Sequence, residues 1–195
     1  MYGGLWIIVR SPLFFPMQNG GIMRWIWIDR FDVFEPGRRA VAIKNVSMAE
    51  EHLHTYCEEF PFMPASLMIE GMAQTGGILV GAMRNFSEKV ILAKIGRASF
   101  ERLVRPGEQL IYDAQIQSIN EIGASITGVI SSRAAAVYEG ATAPTPLPVG
   151  RVEMMFSHID NNMTGREFPE FNFVFNSEFM ALFEGYRRQI EVKLP

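Results

Sequence analysis

Residues 64–83 read PASLMIEGMAQTGGILVGAM, and this run constrains the chain more than any other. It carries one charge, Glu70, one amide, Gln74, and glycines at 71, 76, 77 and 81. The run is about long enough to cross a bilayer, but a carboxylate, an amide and several glycines fit a buried helix of a soluble domain better. Pro64 suits the first turn, where its missing N–H costs nothing, and the polar stretch RNFSEK after about Arg84 closes the helix. Each glycine costs a helix roughly 1 kcal/mol relative to alanine. Something must therefore come very close, either strands wrapping the helix or a ligand sliding along it. Ser66, Glu70, Gln74 and Gly77 follow one stripe at helical spacing, and Ala73, Gly77 and Gly81 form a ridge of small residues. An uncharged face with one carboxylate and one amide is what an acyl-chain tunnel with a single acid needs. The plainer alternative is a glutamate near a helix end facing water.

The remaining pattern is mostly strand. Glu35-Pro36-Gly37 is a turn, and RRAVAIKNV (38–46) then alternates with Val41 and Ile43 on one face. Residues 89–102, 108–118 and 121–132 predict three more strands, with Leu110, Tyr112, Ala114 and Ile116 sharing a face. Asn120-Glu121 makes a hairpin of the last two, and Arg105-Pro106-Gly107-Glu108 is a tight turn. The prolines of 139–149 predict a looped excursion, and 150–159 returns as a strand. Residues 160–176 predict a loop before a short helix capped by Asn176 or Ser177, with Phe179, Leu182, Phe183 and Tyr186 on its docking side.

Composition excludes several classes. With 195 residues, one main domain is expected. A formal charge of −3 without a basic run argues against a nucleic-acid partner. The single cysteine, Cys57, cannot form an intrachain disulfide, which fits a reducing, cytoplasmic setting. The apolar run LWIIV (5–9) lacks a preceding basic region and a long apolar core, so it does not read as a signal peptide. Residues 1–22 read instead as an extension or an upstream start, because MRWIWIDR from Met23 resembles a natural beginning. The triplet Asn162-Met163-Thr164 is read as a chance sequon.

Two stretches carry a resemblance: Met63-Pro64-Ala65-Ser66-Leu67-Met68-Ile69-Glu70-Gly71-Met72-Ala73-Gln74-Thr75-Gly76-Gly77, and Ala98-Ser99-Phe100 followed by Arg105-Pro106-Gly107-Glu108-Gln109-Leu110. Over 23–135 the chain resembles the hotdog-fold dehydratases that act on 3-hydroxyacyl chains carried by acyl carrier protein. The resemblance implies an α+β fold, a long central helix wrapped by a curled antiparallel sheet, with two subunits forming one continuous sheet. It places a hotdog domain at 23–159, leaving 160–195 as a C-terminal loop and short helix. It also implies no cofactor and no metal, and an active site shared across a dimer, where the helix glutamate of one subunit meets a histidine of the other.

Loss of water from a 3-hydroxyacyl thioester needs a base at C2, an acid at the departing C3 hydroxyl, and N–H donors for the enolate-like thioester oxygen. Glu70 falls on the family's acid, and Gln74 on its helix amide. The family's His-Phe-Pro-Gly loop does not match. Counted back without gaps, Tyr56, Cys57, Glu58 and Glu59 stand there, while Pro61 still fits. A tyrosine needs about 4 kcal/mol to lose its proton at pH 7. Glu59 is ill suited to a glycine conformation, and its charge opposes an enolate. His54 is a substitute base if it shares a strand face with Tyr56. His52 and His158 are read as surface or satisfied histidines, and Cys57 as a small buried apolar residue.

The expected site is therefore Glu70, Tyr56 and His54 for catalysis, with Gln74, Glu59, Ser66 and Gly77 lining the substrate. The first expected function is a 3-hydroxyacyl-thioester dehydratase with impaired or altered catalysis, acting on acyl carrier protein or CoA thioesters. The alternatives are an acyl-thioester hydrolase using Glu70, and a non-catalytic acyl-binding or assembly partner of an active paralogue. A homodimer, a trimer of dimers, or a mixed dimer with that paralogue would each be compatible. No membrane span is expected.

Overall fold

A computed structural model describes residues 15–16, 22–23, 26–55, 60–134, 144–159 and 170–191. Two short strands, β1 (Phe15–Pro16) and β2 (Ile22–Met23), pair as a small ribbon. The main body is a six-stranded antiparallel sheet of β3 (Arg30–Glu35), β4 (Arg39–Asn45), β5 (Val90–Phe100), β6 (Glu108–Ile119), β7 (Gly123–Ala134) and β8 (Leu147–His158). Its spatial order is β3-β4-β6-β7-β8-β5. The helices among the described residues are α1 (Glu51–Thr55), α2 (Ala65–Ala82) and α3 (Ser177–Glu191).

The helix read from 64–84 is α2, the longest among the described residues. Pro64 stands just outside it, its carbonyl accepting from the Leu67 and Met68 N–H groups. The sheet wraps α2, which packs against β4, β5, β6, β7 and β8. Hence its interior residues are buried on nearly every side, from Met68 and Met72 to Leu79 and Val80. The close approach that the glycines imply is made by the protein's own side chains. A Cβ on Gly71 would lie 2.5 Å from the Tyr112 ring, and one on Gly81 would lie 2.5 Å from Phe175.

Strand pairing follows the expected turns. The 36–38 turn carries Gly37 at φ 76°, and the turn before β6 carries Gly107 at φ 90°. Leu110, Tyr112 and Ala114 are fully buried on one face of β6, with Ile116 half-buried. Three points differ from the sequence reading. The strand β3 was not expected, because a bulge between Phe31 and Val33 interrupts its alternation. The last strand begins at Leu147 rather than 150 and includes Pro148, beside a register shift between Ile130 and Ser131, where a missing N–H is tolerated. Residues 51–55, from which His54 was to share a strand face with Tyr56, form the helix α1 instead. The 135–143 part of the expected excursion and residues 160–169 lie outside the described residues.

The tail helix α3 is capped by Asn176, whose side-chain oxygen accepts from the Phe179 N–H at 2.9 Å. Phe179, Phe183 and Tyr186 are buried, as their spacing predicted. Phe179 and Phe183 close an aromatic cluster around Phe86, whose ring lies 5.0 Å from Phe175 and 4.8 Å from Phe183, while Tyr186 packs edge-on against Phe31. Phe86 and Asn85 both take left-handed backbone conformations at the end of α2, with φ 58° and 51°. A bulky residue pays a steric cost there, and the cluster that receives its ring supplies the compensation. Asn172 ties the preceding segment down by donating to the Phe86 and Glu88 carbonyls.

Candidate active site

The site is built from one face of α2. Glu70 and Gln74 are four residues apart, so their side chains meet, and Gln74 Nε2 donates to Glu70 Oε1 at 2.9 Å. Gln74 is buried, and its own Oε1 accepts the Trp27 main-chain N–H at 2.9 Å. Among the described residues, Gln74 is the one hydrogen-bond partner of the Glu70 side chain. Glu70 is half-buried. Burial pushes its carboxyl above the ordinary carboxylate value, and the Gln74 N–H opposes that rise by stabilising the anion. The net direction is upward, toward the range in which a carboxyl can exchange a proton with a bound substrate.

A second polar group lies behind Trp27. Lys44 is buried on β4, pairs with Glu50, and holds its ammonium 5.9 Å from the centre of the Trp27 ring. His52 packs edge-on against the same ring at 5.0 Å, and its Nε2 lies 3.4 Å from Glu50. Burial lowers the pKa of His52, with Glu50 partly opposing that change. Tyr112 closes the floor beneath Gly71. It is fully buried, and burial raises its hydroxyl pKa.

Of the residues expected at the site, Glu70 and Gln74 are joined directly. Ser66 is exposed on the first turn of α2. Gly77 faces Phe156, whose ring carbon would lie 3.4 Å from an added Cβ. The backbone of His54 belongs to α1. Tyr56, Cys57, Glu58 and Glu59 lie outside the described residues. His52 is part of the polar group just described, and His158 is buried with its Nδ1 2.5 Å from Glu88, a satisfied histidine rather than a surface one.

Trp27, Lys44 and Glu50 were missed. Lys44 was legible, because it continues the inward alternation of Ala40 and Ala42 along β4, where a lysine is out of place. Trp27 contributes a main-chain N–H, which every residue except proline possesses, so no sequence signal marks it.

A buried helix with one carboxylate, wrapped by a curled antiparallel sheet, is the hotdog arrangement. The chain belongs to the FabA-like family, whose domain model matches residues 24–143. It is similar to the 3-hydroxyacyl-[acyl-carrier-protein] dehydratase FabZ of Caldanaerobacter subterraneus subsp. tengcongensis, 38% identical over 96 residues that make up 49% of this chain and 68% of the relative. The enzyme of the same name from Pelotomaculum thermopropionicum is 35% identical over 117 residues, 60% of this chain and 79% of the relative. Among solved structures, the Streptococcus mutans protein smu.793 bound to acetyl CoA aligns with 66% of this chain and 86% of its own. That alignment has a TM-score of 0.49 and 11% identity. Among the described residues, no helix is long and apolar enough to cross a membrane.

Proposed function

We propose that this chain binds 3-hydroxyacyl thioesters, carried by acyl carrier protein or CoA, with Glu70 as the acid beside the C3 hydroxyl. In this reading Tyr56 and Glu59 leave dehydration slow. The observation that carries it is the Glu70–Gln74 pair on a buried helix, where burial raises the carboxyl's pKa. The acid has no described base opposite it, and a second copy of the chain would bring its own 54–59 segment to the site. An edge strand supports that pairing: β5 ends the sheet, and residues 94–99 along it are all exposed.

The test compares wild type, Tyr56→His, and the fourfold variant Tyr56→His/Cys57→Phe/Glu58→Pro/Glu59→Gly on 3-hydroxyacyl thioesters of both carriers. Tyr56→His alone restores a base without its N–H donor and gives little gain. The fourfold variant exceeds it by about 10²–10³, the effect of one oxyanion donor, and loses the gain when Glu70→Gln is added. Wild type as fast as the fourfold variant would overturn the proposal. Thiol release from a simple acyl thioester would mark a hydrolase. Binding without turnover in any variant would mark an assembly partner.

A further inference from the structure

The orientation of a glutamine amide decides which of its two ends donates, and here a main-chain group fixes it. The Trp27 N–H can only donate, so the amide end facing it must be the oxygen. Nε2 is then forced toward Glu70, where it donates to Oε1. That bond occupies Oε1 as an acceptor and leaves Oε2, which takes no bond from the described residues, as the oxygen open to a ligand.

Trp27 is itself held from outside the segment that matches the family domain. The Tyr186 hydroxyl, on α3, donates to the Ile28 carbonyl at 2.8 Å in a buried contact. On the other side the Asp29 N–H donates to the Ile43 carbonyl of β4 at 2.7 Å. The Lys44 and His52 contacts seat the Trp27 ring between these two anchors. Residues 27–29 are thus pinned between the sheet and a helix that lies beyond residue 143, where the family match ends.

We infer that the Trp27 main-chain N–H, held by the Tyr186 hydroxyl, sets the Gln74 amide and so decides which Glu70 oxygen is presented to substrate. Tyr186 is a positioning residue in this scheme, acting through residues 27–28 and touching no substrate. The inference rests on Glu70 being the acid of the proposed site, and its test needs no turnover, so the two fail separately.

The test follows the Glu70 carboxyl by carbon NMR across pH, and the exchange of the Trp27 amide proton, in the full chain. In Gln74→Leu the Glu70 pKa rises above wild type, because the donor that favours its anion is gone, and the Trp27 N–H exchanges about fivefold to tenfold faster. Tyr186→Phe, which keeps the ring and removes the hydroxyl, moves both readouts in the same direction and part of the way. Phe183→Leu loosens the same helix without a bond to residues 27–28, and leaves both at wild-type values. Wild-type behaviour of Tyr186→Phe, or equal movement in Phe183→Leu, overturns the inference. Should Tyr186→Phe fail to fold, Gln74→Leu decides: shifts in both readouts support the scheme, and an unmoved Glu70 or Trp27 overturns it.

Discussion

Alanine placed at Gly71 and at Gly77, one at a time, should change stability in opposite directions. Both glycines lie inside α2, so each substitution gains the same helix preference, about 1 kcal/mol. What differs is the space. At Gly77 the new Cβ meets one Phe156 ring carbon at 3.4 Å and the next at 4.0 Å, ordinary contact distances. The gain survives, and Gly77→Ala stabilises by up to about 1 kcal/mol. At Gly71 the Cβ meets Tyr112 Cζ at 2.5 Å, its hydroxyl oxygen at 2.6 Å and Cε2 at 2.8 Å. Tyr112 is fully buried and its ring has nowhere to retreat. Overpacking of this kind costs about 1–3 kcal/mol. Three contacts this short put Gly71 at the upper end, and after the helix gain about 1–2 kcal/mol of destabilisation remains. The two variants should therefore differ by roughly 2–3 kcal/mol. Urea titrations at one protein concentration, compared by midpoint at constant m, measure it. Equal shifts, or a Gly71→Ala protein as stable as wild type, would refute the view that the sheet's side chains set these glycines.

Two further outcomes test the site's electrostatics. Because burial raises the Glu70 pKa above its unfolded value, this group's contribution to stability is full below the ordinary carboxylate pKa and is lost as pH rises through the folded value. Glu70→Gln has no such loss, so its melting temperature should gain on wild type between pH 4 and pH 8; a constant difference would contradict the assigned shift. The Tyr112 hydroxyl is buried with no hydrogen-bond partner among the described residues, so Tyr112→Phe should be neutral or stabilising by up to about 1 kcal/mol, and a loss of stability by chemical denaturation would reveal a partner.

The sequence by itself determined the buried helix, its single carboxylate and five of the six strands around it. These rest on local signals: apolar runs, period-two alternation as in Leu110, Tyr112 and Ala114, and turn residues such as Gly37 and Gly107 whose positive φ only the chain's own chemistry requires. Where a signal was interrupted the reading failed. The bulge in β3 broke its alternation, and α1 is too short, at 5 residues, to show a helical period. Tertiary structure alone decided that Tyr186 reaches the Ile28 carbonyl across 158 positions, and that the Trp27 N–H reaches Gln74 across 47. Main-chain donors and acceptors are the same at nearly every residue, so only the folded path of the chain selects which of them orients the site.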